Sequence, residues 1–108
     1  MEDELIKIFI DNDIEIKGTG SYECTDSNGL SMLKVRELLL SRYNIIIENI
    51  EKQYYICSIK LGTVYVACAI RLYSNQIEMY AFAKEGLIKR DLAKKAISDI
   101  KGVLENGK

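Results

Sequence analysis

The chain predicts an α+β fold in two layers: an antiparallel sheet of about four to six strands, two long helices packed on one face, and a short N-terminal helix or strand. Three observations carry this expectation. Apolar residues recur at helical spacing in residues 31–43 and again in 87–108. Between those segments, 44–84 is β-rich and interrupted only by short turn-forming pairs, which leaves no room for the crossover helices of a parallel sheet. Finally, alternation along 54–84 separates a row of aliphatic residues from a row of tyrosines.

The first segment, 3–11, fits two patterns. Leu5, Ile6, Phe9 and Ile10 lie on one helical face, whereas Ile6, Ile8 and Ile10 would line one face of a strand. The leading acids Glu2, Asp3 and Glu4 suit the positive end of a helix dipole, so a short helix is the reading. "IEIKGTGSYECTDSNG" (14–29) alternates at Ile14 and Ile16 and then meets Gly18, Gly20 and "DSNG", which predicts a short hairpin followed by a loop. "SMLKVRELLLSRY" (31–43) predicts a helix capped by Ser31, with Met32, Val35, Leu38 and Leu39 inward. Strands are expected at 44–50, 54–61, 63–73 and 76–84. The last segment, 87–108, reads as a helix with the stripe Ile88, Leu92, Ala96, Ile100 and Val103, stopping at Gly107.

The central strands can be registered from two turns. With Gly62-Thr63 as a two-residue loop, Leu61 faces Val64, Ile59 faces Val66, Cys57 faces Cys68 and Tyr55 faces Ile70. With Ser74-Asn75 as another, Leu72 faces Ile77, Ile70 faces Met79 and Cys68 faces Ala81. Both registers place the same apolar set on one face, and a one-residue slip in either would break the agreement. The opposite face then holds Tyr54, Tyr65, Arg71, Tyr73, Glu78, Tyr80 and Phe82, with Lys60 and Lys84 at its margin. Tyr54, Arg71 and Glu78 stack across three strands, which predicts a cation–π contact beside an ion pair. Both long helices are needed over the aliphatic face. The aromatic face is therefore either covered by the N-terminal helix and hairpin, giving a second small core, or open to a partner.

Composition narrows the function classes. The 108 residues, 48% hydrophobic and 29% charged, suit a single soluble domain spanning 1–108. No apolar run approaches the roughly 18 residues that cross a bilayer, and the acidic start "MEDELIKIF" is unlike a signal peptide, so a cytoplasmic protein without membrane association is expected. A net charge of −1 argues against generic polyanion binding. The halves differ: 1–54 holds eleven acidic and six basic side chains, 55–108 five and nine, a pattern that fits head-to-tail pairing or a local basic face as well as chance. Histidine is absent, which removes the commonest general base and the commonest metal ligand.

The remaining motifs read as structure. Asp11, Asp13 and Glu15 alternate as calcium ligands would, but Ile16 and Tyr22 stand where an EF-hand needs glycine and glutamate. "GTGSYE" (18–23) lacks the third glycine of a dinucleotide fingerprint. Cys57 and Cys68 fall opposite one another at the ~5.5 Å Cα spacing of a hydrogen-bonded pair, and are expected to be buried thiols. With Cys24 elsewhere, no zinc site or Cys–His nucleophile can be assembled. Lys89, Arg90, Lys94, Lys95 and Lys101 line the polar side of the last helix, partly neutralised by Asp91–Lys95 and Lys95–Asp99 pairs. No catalytic, cofactor-binding or metal-binding set emerges.

From residue 29 onward the order helix, four antiparallel strands, helix resembles one repeat of the TATA-binding-protein fold, with "YAFAKEGLIKRDLAKKA" similar to that repeat's last strand and helix. With a helix and hairpin in front, the order also resembles the roadblock/longin-type dimerisation modules. The proline and paired intercalating phenylalanines of a TATA-binding protein have no counterpart, so the resemblance does not bring DNA kinking with it. The expected function is a non-enzymatic interaction or adaptor module. It would form a homodimer or bind another protein through Tyr54, Tyr65, Arg71, Tyr73, Glu78, Tyr80 and Phe82. The alternative is a small nucleic-acid-binding or regulatory protein that stacks bases on Tyr65, Tyr80 and Phe82 and holds phosphates with Lys60, Arg71 and Lys84.

Overall fold

A computed structural model describes residues 2–85 and 91–106. The elements are α1 (Glu2–Asp11), β1 (Thr19–Asp26), α2 (Met32–Leu40), β2 (Asn44–Asn49), β3 (Tyr54–Leu61), β4 (Val64–Tyr73), β5 (Gln76–Ala83) and α3 (Leu92–Asn106). The five strands form one antiparallel sheet in the order β1-β5-β4-β3-β2. The fold is α+β, and from residue 29 onward its order is helix, four antiparallel strands, helix. No helix among the described residues is long and apolar enough to cross a membrane.

Both central hairpins have the register that their turns dictate. Cys57 opposes Cys68 and Tyr55 opposes Ile70 across β3–β4. Ile70 opposes Met79 and Cys68 opposes Ala81 across β4–β5. Ser74 and Asn75 both have positive φ (50° and 62°), as a type I′ turn requires, and Gly62 supplies the positive φ (63°) of the other loop.

The aliphatic face of the sheet packs against α2 and α3. Tyr55, Cys57, Ile59, Val66, Cys68, Ile70, Ile77 and Met79 meet Val35 and Leu39 of α2, and Leu92, Ala96, Ile97, Ile100 and Leu104 of α3. Ser31 caps α2 by accepting a hydrogen bond from the Lys34 amide (3.1 Å), as its position implies. The buried stripe of α3 runs through Ala93, Ile97 and Leu104 rather than Val103, which is half-buried. Ile88, Lys89, Arg90 and Gly107 lie outside the described residues.

The N-terminal third departs from expectation in one respect. Residues 14–17 form no strand, so there is no local hairpin. Instead β1 pairs with β5 from Thr19↔Ala83 to Asp26↔Gln76. A hairpin of a few residues would leave both its own edge and that of β5 unpaired, whereas pairing with β5 satisfies a full strand of backbone groups. The would-be strand residues Ile14 and Ile16 pack under α1. Gly18 has φ +84°, and Tyr80 passes so close over Gly20 that an added Cβ would overlap its hydroxyl.

The short N-terminal helix is present and lies on the aromatic face. Leu5, Ile8 and Phe9 share one side of α1 and are buried there. Its end is closed by a Schellman arrangement: Asp13 takes positive φ (58°), its amide bonds to Ile10 and the Ile14 amide to Phe9 (2.9 Å).

Candidate functional site

The aromatic row stands on one face, as the alternation implies, but α1 lies across most of it. Phe9 is the plug. Its ring meets Tyr80 and Phe82 edge-on, with centroids 6.2 and 5.0 Å away. Around it Leu5, Ile8, Tyr54, Ile56, Ala69 and Tyr80 form a second, smaller core. Of the seven residues expected at a partner surface, Tyr54, Glu78 and Tyr80 are buried, and Arg71 and Phe82 are half-buried. Tyr65 and Tyr73 remain open, at 63% and 59% exposure.

Arg71 and Glu78 make the expected ion pair, with guanidinium nitrogens 2.6 and 3.0 Å from one carboxylate oxygen. The other oxygen accepts from the Tyr22 hydroxyl at 2.7 Å. Burial alone would raise the Glu78 pKa, yet the hydrogen bonds from Tyr22 and Arg71 and the Arg71 charge hold it below the usual carboxylate range. Burial and the adjacent Glu78 carboxylate push the Tyr22 phenol well up, so its proton stays in the bond. The cation–π contact falls elsewhere than expected. Arg71 opposes Tyr54 in register but lies over the Tyr73 ring at 4.4 Å. The Tyr54 hydroxyl accepts from Asn12 of the α1 C-terminus at 3.0 Å instead.

Of the platform Tyr65, Tyr80 and Phe82 that base stacking would need, Tyr65 alone is exposed, with Lys60 6.0 Å above its ring. Lys84 is exposed at the end of β5. One ion pair links the acidic and basic halves: Lys101 of α3 bonds Glu23 of β1 at 2.6 Å. Asp99 does not serve as Lys95's helix partner; it accepts from the Tyr43 hydroxyl at 2.6 Å, because α2's end packs beside α3 at that turn. Asp11 ends α1, Asp13 occupies its left-handed cap, and Glu15 is paired loosely with Lys17 at 3.9 Å. Among the described residues no three acidic or cysteine side chains converge as metal ligands.

A surface that the alternation did not single out lies at the β2 edge. The β2–β3 register shifts between Ile45 and Ile47, a bulge that turns Ile46 out of both cores. Ile45 packs with the aliphatic core and Ile47 with the aromatic one, while Ile46 is 56% exposed. Above it on α2, Leu33 and Leu40 are exposed at i,i+7 spacing, and Ile50 is exposed just past the strand. Glu48 is the charged group on this strand, and Arg36 of α2 holds both its oxygens at 3.0–3.1 Å. The sequence signal is weak: with a core on each face of the sheet, three consecutive isoleucines fit a strand buried on both sides, and only the skipped register position leaves one of them outside. Set against known proteins, the chain matches no family model and no curated protein.

Proposed function

We propose that the chain is a non-enzymatic interaction module that self-associates, two copies meeting along their β2 edges. One observation carries the reading. Of the seven large hydrophobic residues exposed among those described, four (Leu33, Leu40, Ile46 and Ile50) lie in or beside the edge strand β2, on α2 and at the strand's end. An open edge flanked by apolar side chains invites another strand, and natural proteins normally guard against that with charge. Two-fold antiparallel apposition of Asn44–Asn49 would set isoleucine against isoleucine, and Glu48 would bring its own counter-ion, Arg36. The bulge keeps the shared ladder short, so the side chains of α2 and β2 supply the contact rather than a long run of backbone bonds.

Between copies of the chain this edge, rather than the aromatic face, is the contact, because α1 covers most of that face. The test is light scattering at tens of micromolar on the wild type and on Ile46→Lys, which adds a charge to the edge without entering either core. The reading expects a dimer that the substitution converts to monomer, with an unchanged unfolding transition. A monodisperse wild-type monomer over that range would sink it.

A further inference from the structure

The aromatic face is larger than the helix that covers it. α1 buries Leu5, Ile8 and Phe9 there, yet Tyr65 and Tyr73, at opposite ends of β4, stand beyond its reach. The helix is acidic, and the rim it meets carries Lys52 and Arg71. α1 carries Glu2, Asp3, Glu4 and Asp11 against Lys7. A cleft of about 180 Å³ at its flank is lined by Glu4, Lys7 and Asp11 of α1 and, across from them, by Lys52 and Arg71. Beneath the helix, Arg71 and Tyr22 hold Glu78 from within the sheet, and those bonds survive if α1 lifts away. The cover is seated by Leu5, Ile8 and Phe9, by half-buried Ile6 and by the Asn12–Tyr54 bond, and it is joined to β1 by residues 12–18, which turn at the left-handed residues Asp13 and Gly18. A terminal helix docked on a sheet can open locally without disturbing the core on the sheet's other face.

We infer that this face is a docking site for an acidic amphipathic helix, and that α1 is its resident occupant, displaceable by a partner's helix of the same character. The matching partner segment presents large apolar residues at i, i+3 and i+4 toward Tyr80 and Phe82, with carboxylates on its flanks toward Lys52 and Arg71. A tethered occupant competes at an effective concentration in the millimolar range, so an incoming helix binds the closed chain weakly until α1 is released.

The probe is a fluorescent peptide of residues 2–17, titrated by anisotropy into the full-length wild type and into the full-length Phe9→Asp variant, whose own α1 cannot seat. The inference expects at least tenfold tighter binding by the variant, severalfold weakening when salt is raised, and no binding of a peptide that itself carries Phe9→Asp. Equal binding by wild type and variant, or none by a variant whose Cys57 and Cys68 stay protected from a thiol reagent, overturns it. Should the variant lose that protection, the wild type decides. Millimolar peptide must then speed amide exchange within Glu2–Asp11, and unchanged exchange overturns the inference.

Discussion

The two edges of the sheet are built on opposite principles. β1 is eight residues of unbroken register, and its side chains are tied down: Tyr22 to Glu78, Glu23 to Lys101, Cys24 to Gln76. No large apolar side chain is exposed along it. β2 is six residues with a bulge, and its neighbourhood exposes Ile46, Ile50, Leu33 and Leu40. An edge that is polar and anchored discourages strand addition, while one that is short, bulged and apolar tolerates it only in a limited register. On the proposed pairing β2 is the one adhesive edge, so association of like with like closes after two copies, whereas two adhesive edges would propagate a fibre.

The contrast makes distinct demands on stability. The largest expected effect is at β1's anchor. Glu78→Ala removes the partner of both Tyr22 and Arg71 and leaves a half-buried guanidinium without its paired carboxylate, which costs about 3 kcal/mol, the low end for a buried pair. Urea unfolding should show the loss, and light scattering of the folded fraction should show association unchanged. Acid should expose the same anchor. Because the Glu78 pKa is lower in the folded chain than in the unfolded one, its contribution is complete above the unfolded value, about 4.3, and disappears as pH falls through the folded value. The anchor variant should therefore lose less stability than wild type on going from neutral pH to pH 3. An equal loss would show that the carboxylate is not held as described.

A smaller effect is expected where β1 meets the second core. Gly20→Ala places a methyl against the Tyr80 hydroxyl, and the ring must shift toward Phe9, destabilising by roughly 1–3 kcal/mol. Chemical denaturation measures it, and a neutral outcome would mean that α1 yields easily at that point.

The most delicate difference is one of thiol access. Cys24, on β1, is half-buried, whereas Cys57 and Cys68 are fully buried; burial pushes the Cys57 thiol up to about 12 and holds the Cys68 thiol well above its ordinary value. Labelling should therefore take Cys24 first, since reaction needs an accessible thiolate. Cys57 faces Ile45 of β2, so its slow labelling reports fraying of that edge and should slow further as protein concentration rises. Rapid native labelling of Cys57 or Cys68 would contradict the face assignment.

Much of the fold was legible because it is local. Gly62-Thr63 and Ser74-Asn75 set two registers by turn geometry alone, and the shared aliphatic face of Cys57, Cys68 and Ile70 confirmed one against the other. What escaped is non-local. Whether Thr19–Asp26 pairs with its neighbour or with β5 depends on an edge fifty or more residues away. The covering of Tyr80 by Phe9 was readable only as one of two possibilities, since alternation tells which residues share a face but not what lies on it. The bulge at Ile46 was hidden for a related reason: three isoleucines in a row signal burial until one position in the register is skipped.

The edge contrast is tested most directly by amide hydrogen exchange at two protein concentrations spanning the association range. The account predicts that amides in Asn44–Asn49 not already bonded to β3 become slower at the higher concentration, while those on the free side of Thr19–Asp26 exchange alike at both. Protection that is independent of concentration along β2, or that rises along β1 instead, would contradict it.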